Sequence, residues 1–189
     1  EELVDWVILE IKNRKKNNNK KLSILDIGTG SGCIITSIAS KFKEHNYTGI
    51  DISAETLEVA KKNASNNNVE IKFLELDILK TKNLEENYDI IISNPPYVRE
   101  LEKFEMKKNV LNNEPHKALF VSNENPLLFY DKIGKLAEKH LTEGGLLFFE
   151  INQYLSMETY NLVENKSFKN IELRKDLFGN YRMIKAVKN

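Results

Sequence analysis

The sequence predicts an α/β fold: a doubly wound, mostly parallel seven-stranded sheet with an antiparallel edge formed by its last strands. Three observations predict it. Short apolar runs such as Leu22–Ile27, Ile90–Ile92 and Leu146–Ile151 alternate with stretches whose apolar residues recur at helical spacing. The loop Gly28-Thr29-Gly30-Ser31-Gly32 turns the first run straight into one of those stretches. The last two runs are joined by a turn around Gly179-Asn180, short enough for an antiparallel pair. Strands that alternate with helices build an open sheet covered on both faces.

Residues 1–11 place Leu3, Val7 and Ile11 at helical spacing, with Val4 and Ile8 alongside, and predict a helix. Lys12 to Lys21 is basic and asparagine-rich and reads as a solvated linker. Leu22–Ile27 is the first buried strand; Ile35, Ile38, Ala39 and Phe42 then mark an amphipathic helix. Tyr47–Ile52 is the second strand. Ser53 is placed to cap the next helix, with Glu55 in its first turn, where the helix dipole favours an acid. Leu57, Ala60 and Ala64 form that helix's inner face. Val69–Leu76 alternates as a third strand ending at Asp77, and Tyr88–Ser93 is the fourth.

Residues 98–124 are the least regular, with a short helix expected near Leu101–Val110. A long insertion after a strand's carboxyl end is where a cover facing a substrate would sit. Asn125-Pro126 predicts a cap and a first-turn proline, and Phe129, Ile133, Leu136 and Ala137 carry that helix to about Leu141. Gly144-Gly145 breaks it, and Leu146–Ile151 is the fifth strand. A helix over Tyr154–Glu164 and strands near Ile171–Arg174 and Arg182–Val187 close the chain.

The 189 residues suit one domain with a sizeable core. Twenty-eight basic and 28 acidic side chains cancel, so no global field favours nucleic acid or an anionic membrane. No apolar run approaches the roughly 20 residues of a membrane span, and the acidic start lacks a signal-peptide pattern. Cys33 is the single cysteine, which excludes an internal disulfide and a cysteine-rich metal site. A reducing, cytoplasmic setting is the natural reading.

Ligands of such sheets bind beyond the strands' carboxyl ends, near the topological switch point. Asp26, the glycine loop, Asp51, Asp77 and Asn94 all fall at such ends. Glycines at alternate positions let the backbone approach a ligand closely. Asp51, about 20 residues beyond the loop, is placed to hold ribose hydroxyls, so the pair indicates an adenosine-bearing cofactor. A dinucleotide usually comes with G-x-G-x-x-G and its pyrophosphate at the helix N-terminus. Here the spacing is G-x-G-x-G, and Asp26 would repel a pyrophosphate but attract the cationic part of S-adenosylmethionine. That favours S-adenosylmethionine, with S-adenosylhomocysteine as product. The expected cofactor set is Asp26, Gly28, Thr29, Gly30, Ser31, Gly32, Asp51, Ile52, Asp77, Ile78 and Asn94. Asp77 serves equally well as a turn or cap residue.

Asn94-Pro95-Pro96-Tyr97 follows the apolar strand and supplies the expected catalytic residues. Consecutive prolines remove two N–H donors and leave their carbonyls free, and Pro95 biases Asn94 toward extended backbone. The resulting acceptor-rich corner suits a planar NH₂ group, although Asn-Pro-Pro also serves simply to stop a strand. Tyr97 is read either as a wall for the acceptor's stem or as a core aromatic.

With Asp26 to Gly32, Asp51 and Asn94 to Tyr97 in view, the chain resembles the HemK/PrmC-type glutamine methyltransferases over essentially its whole length. The resemblance implies methyl transfer from S-adenosylmethionine to the glutamine of the GGQ motif in peptide chain release factors. Glu114-Pro115 with Ala118-Leu119, Glu150 with Gln153, and Asp176, Gly179 and Arg182 are similar to further segments of that family. Two departures stand out. Asn152 replaces a glycine common after the Glu150 strand, and only Glu1 to Val4 is similar to the segment that follows the family's N-terminal helical domain. Residues 1–189 are therefore expected to be the catalytic domain of a longer protein, without the N-terminal substrate-recognition domain. The expected partner is a release factor, with no membrane, no direct nucleic acid and a single copy of the chain.

His45, His116 and His140 show no metal-ligand spacing and read as surface or satisfied residues, so no metal is expected. His116 lies in the Glu114–Leu119 segment, where a substrate contact is conceivable. Cys33 begins a helix with no partner base nearby and reads as a packing residue. Two alternatives stay open: methylation of an adenine or guanine amino group, which the same asparagine–proline corner serves, and a non-catalytic module that binds S-adenosylmethionine.

Overall fold

In the computed structural model the described residues are 2–17, 20–99, 120–121 and 124–189. The helix expected near Leu101–Val110, the Glu114–Leu119 segment and His116 lie outside them. The chain runs α1 (Glu2–Asn17), β1 (Ser23–Ile27), α2 (Cys33–Lys41), β2 (Asn46–Asp51), α3 (Ala54–Asn66), β3 (Lys72–Glu75) and β4 (Tyr88–Ser93). After the short strands β5 (Val98–Arg99) and β6 (Phe120–Val121) come α4 (Leu128–His140), β7 (Leu141–Glu150), a 3₁₀ turn (Gln153–Leu155), α5 (Ser156–Glu164), β8 (Phe168–Lys175) and β9 (Tyr181–Lys188).

Seven strands form one sheet in the order β3-β2-β1-β4-β7-β9-β8, and β5 pairs with β6 separately. The first five of the seven are parallel, while β9 runs antiparallel to both β7 and β8, and β8 forms the edge at that end of the sheet. Strands buried on both faces are continuously apolar, and alternate residues feed two cores. Ile24, Ile90, Ile92 and Phe148 pack with α1 and α2 through Trp6, Val7, Ile11, Ile35 and Ile38. Leu25, Ile27, Ile91, Leu147 and Phe149 pack with α4 and α5 through Tyr130, Ile133, Ala137 and Val163.

Several boundaries differ from the sequence expectation, each for a local reason. The first helix continues to Asn17, through more than half of the expected linker, because Lys and Arg are good helix formers. Arg14 also ties this extension to the Gly144 carbonyl. The third strand spans only Lys72–Glu75 and is no more than half-buried, so pattern alone overstates it. Asn125-Pro126 does not cap α4: Leu127 holds that position with no side-chain cap bond, and the Asn125 carbonyl accepts from Leu128 N at 3.3 Å. Gly144 and Gly145 lie inside β7. The β4–β7 register jumps there from Tyr88↔Leu141 to Ile90↔Leu146, a bulge that Gly144 accommodates at φ 69°.

Candidate active site

Register places the candidate residues at one end of the sheet. Ile27 of β1 pairs with Ser93 of β4 and with Ile50 of β2. The glycine loop therefore leaves β1 at the level where Asn94 leaves β4 and Asp51 ends β2. Roughly one strand spacing, ~4.8 Å, separates neighbouring exits. Ser93, fully buried, donates from Oγ to the Ile27 carbonyl at 2.7 Å and ties the two exits together.

Gly28, Gly30 and Gly32 all have positive φ, at 71°, 55° and 77°. A Cβ on Gly28 or Gly30 would meet nothing within 4 Å, so those positions face open space. Gly28 N and Thr29 N donate to the Ile50 carbonyl at 2.8 and 2.9 Å. Gly30 N donates to Asp51 Oδ2 at 2.9 Å, and Ser53 N to Oδ1 at 3.0 Å. Each Asp51 oxygen keeps lone-pair capacity for further donors. Beside it Ile52 is 64% exposed, an apolar surface bordering the loop. Ser53 caps α3, as expected, by accepting from Thr56 N at 3.2 Å.

Asp26 lies beneath the loop with no exposed surface. Its Oδ2 accepts from Thr29 Oγ1 at 2.7 Å, while Oδ1 has no hydrogen-bond partner among the described residues. Burial pushes its carboxyl up to about 7, against the opposing hydrogen bond from Thr29 and with help from the charge of Asp51. It thus exchanges a proton near neutrality. Asp77 behaves as a turn residue: Leu79 N donates to Oδ1 at 3.0 Å, and Lys80 Nζ lies 3.0 Å from Oδ2. The Lys80 contact holds the Asp77 carboxyl below the ordinary carboxylate range. Ile78 joins the core cluster on the α4 face.

Asn94 is exposed, Pro95 buried, and Pro96 and Tyr97 half-buried. The corner is gripped through Tyr97. Its hydroxyl donates to Glu150 Oε1 at 2.7 Å and accepts from Arg182 Nη2 at 2.7 Å, and the guanidinium carbon stands 5.1 Å from the ring centroid. Burial, followed by the negative charge of Glu150, raises the phenol well above its usual range, so it stays protonated. Asn152, 2% exposed, donates from Nδ2 to the Tyr97 carbonyl at 2.9 Å and accepts from Tyr154 N at 2.9 Å. Tyr97 also packs against the α4-side core, so the core-aromatic reading describes its ring. Glu150, Asn152 and Arg182 were absent from the expected site set. An acid ending the apolar run Leu146–Phe149 was the signal available for Glu150.

Of the remaining chemistry-bearing residues, the described histidines sit elsewhere and Cys33 adjoins the glycine loop. His45 Nδ1 accepts from Leu22 N at 3.4 Å and His140 Nε2 from Leu84 N at 3.1 Å, so both cap backbone amides. Cys33 is exposed rather than packed, because its helix turns that position to solvent; its Sγ lies 3.2 Å from Ser31 Oγ. Among the described residues no group of His, Cys, Asp and Glu is placed to hold a metal ion, and no helix is long and apolar enough to cross a membrane.

The sequence pattern of one family spans both halves of this site. Residues 9–120 match the model of the Methyltransferase small domain. The chain belongs to that family. The release factor glutamine methyltransferase of Flavobacterium psychrophilum is 54% identical over 186 residues, covering 98% of this chain and 65% of the relative. That of Bacteroides thetaiotaomicron is 40% identical over 186 residues, covering 98% and 64%. The chain therefore spans about 65% of the length of these relatives. Among solved structures, magnesium protoporphyrin IX methyltransferase from Synechocystis PCC 6803 with bound SAM superposes with a TM-score of 0.63 at 17% identity, covering 98% of this chain and 78% of that one. At that identity the likeness concerns the fold.

Proposed function

We propose that this chain is the catalytic domain of a release factor glutamine methyltransferase, transferring methyl from S-adenosylmethionine to the side-chain amide of the GGQ glutamine. The observation that carries the reading is the level register of the β1 and β4 exits, which sets exposed Asn94 beside the open glycine loop. The 54% identity to a named release factor glutamine methyltransferase supports the choice of substrate.

The residues present fit the cofactor. The loop Gly28–Gly32 offers open backbone, Asp51 spare acceptor capacity for a ribose, and Ile52 an exposed apolar wall. Asp77 and Ile78 border the adenine end in this reading, and Asp26 answers cationic charge from below the loop. When bound, S-adenosylmethionine supplies an electrophilic methyl group on a sulfonium.

The chain's own task is to present the nucleophile. An amide nitrogen is a poor one because its lone pair is delocalised into the carbonyl. Asn94 Oδ1 and the Pro95 carbonyl accept the two N–H bonds of the glutamine amide, fix its plane and favour a pyramidal nitrogen. Orientation of this kind lowers a barrier by several kcal/mol, up to about 7–11 in the best intramolecular cases. No strong base is required, since the methylated nitrogen is acidic and releases its proton to water.

The direct test is incubation of the chain with methyl-labelled S-adenosylmethionine, a peptide chain release factor and ribosomal RNA together. Label on the release factor, abolished by replacing its GGQ glutamine, is expected. Label on the RNA instead would transfer the assignment to base methylation, and label on neither would leave a binding module.

A further inference from the structure

Ser31 stands between Gly30 and Gly32, whose φ angles of 55° and 77° lie in the left-handed region. Glycine enters that region and leaves it at little cost, so the residue between two of them has hardly any restraint of its own. The loop takes its shape from the elements around it. Its first half is held by β1 and β2: Gly28 N and Thr29 N donate to the Ile50 carbonyl, Gly30 N to Asp51 and the Thr29 hydroxyl to Asp26. None of these bonds reaches Ser31.

The second half is held from α3. Asn63, half-buried, donates from Nδ2 to the Ser31 carbonyl at 2.9 Å across 32 positions of sequence. Ala60 lies one turn earlier on the same face of α3, and a Cβ added to Gly32 would come within 3.1 Å of its Cβ. One helix face therefore presses on Gly32 and bonds to Ser31. That helix also begins at the acid that holds the first half, since Asp51 Oδ1 accepts from Ser53 N. The hold matters because of the donors the loop has left. Gly28 N, Thr29 N and Gly30 N are spent on β2, and Gly32 N on the Thr29 carbonyl at 2.9 Å. Among the described residues the Ser31 N–H is the amide of Gly28–Gly32 that has no protein acceptor.

We propose that Asn63 is a positioning residue for the cofactor: it fixes Ser31, and with it the one uncommitted amide of the loop, before the ligand arrives. The inference rests on the S-adenosylmethionine reading above and adds to it a residue outside the loop. Without the Asn63 bond, Ser31 turns more freely between its two glycines, and binding must take that freedom away again. The cost falls on affinity. The Asn94 corner is anchored instead through Glu150 of β7 and Arg182 of β9, so turnover at saturating cofactor stays near that of the wild type.

The test compares Asn63→Leu with the wild-type chain. Leucine has nearly the shape of asparagine, lacks its donor and suits a helix interior better, so the urea midpoint is expected to stay close to wild type. Calorimetric titration with S-adenosylmethionine and with S-adenosylhomocysteine is the primary readout and needs no methyl acceptor. Affinity for both is expected to fall about five- to tenfold, one hydrogen bond's worth, because the two differ only in the transferred methyl group. In the methyl-transfer assay the KM for S-adenosylmethionine rises by the same factor, while kcat and the KM for the release factor are preserved. Asn63→Gln keeps an amide donor and recovers part of the affinity. Unchanged affinity in Asn63→Leu overturns the inference and leaves the function standing. A kcat reduced at saturating cofactor, or a urea midpoint that falls in step with affinity, overturns it by showing that Asn63 supports the fold at large. A loss as great in Asn63→Gln as in Asn63→Leu overturns it by removing the donor as the cause. Failure of the wild type to bind S-adenosylmethionine removes the cofactor reading itself, and this role with it.

Discussion

Replacing Tyr97 with phenylalanine deletes one oxygen that serves as donor to Glu150 and acceptor from Arg182, each at 2.7 Å. Hydrogen bonds to charged groups contribute about 1.5–3 kcal/mol apiece. The full sum overstates the loss, because the side chains of Glu150 and Arg182 retain 26% and 28% exposure and already approach each other to 3.4 Å. Water and a tightened ion pair recover part of it. A net destabilisation of about 1.5–3 kcal/mol follows, roughly one bond's worth. For a chain of this size that lowers Tm by about 3–12 °C. Equilibrium unfolding in urea, with matched Glu150→Gln and double variants, separates the hydroxyl's coupling to Glu150 from the loss of ring packing. The account also expects kcat to fall with little change in S-adenosylmethionine affinity, since Tyr97 holds the corner and not the glycine loop. A stability within about 0.5 kcal/mol of wild type, the range of ordinary surface substitutions, would refute the claim that this network anchors the corner.

Asp26 has a raised folded pKa of about 7, so between the unfolded value and neutrality the folded state binds more protons than the unfolded one. Its contribution to stability is therefore fully present in acid and is lost as pH rises through about 7. Asp26→Asn removes that dependence, and the stability difference between variant and wild type should shift in the variant's favour from pH 5 to pH 8, measured by urea titrations. Gly32→Ala places a Cβ 3.1 Å from Ala60 Cβ at φ 77° and should cost about 1–3 kcal/mol in the same assay. Asn152→Gly removes the bond to the Tyr97 carbonyl and should cost about 1 kcal/mol, with a small loss of kcat in the methyl-transfer assay.

The sheet was legible because its strands are short, buried on both faces and punctuated by polar ends, so apolar runs and glycine loops mark them with little ambiguity. Boundaries were harder where tertiary contacts overrule composition. Lys12–Asn17 reads as linker by charge but stays helical because Ile11 is fully buried and Arg14 reaches the β7 bulge. Gly144-Gly145 reads as a break, yet the strand continues around it because β4 pairs on both sides of the bulge. Asn125-Pro126 has cap chemistry, but the helix begins two residues later, out of reach of that side chain. At the candidate site, Asp26, Asp51 and Asn94 were visible as polar residues at strand ends, which is a one-dimensional signal. The grip of Glu150, Asn152 and Arg182 on Tyr97 was not, because it joins positions 53 to 85 residues apart through the β4-β7-β9 adjacency. The exposure of Cys33 depended likewise on which face α2 turns to the sheet.

The central claim is that Asn94 acts chiefly by orienting the acceptor and contributes little to the affinity for the cofactor. Asn94→Ala, assayed for S-adenosylmethionine binding by calorimetry and for methyl transfer to a release factor, tests it most directly. The account predicts binding within a few-fold of wild type and a kcat lower by about 10²–10³, the cost of losing one preorganised polar contact in a transition state. Methyl transfer at the wild-type rate, or loss of cofactor binding as large as the loss of turnover, would contradict it.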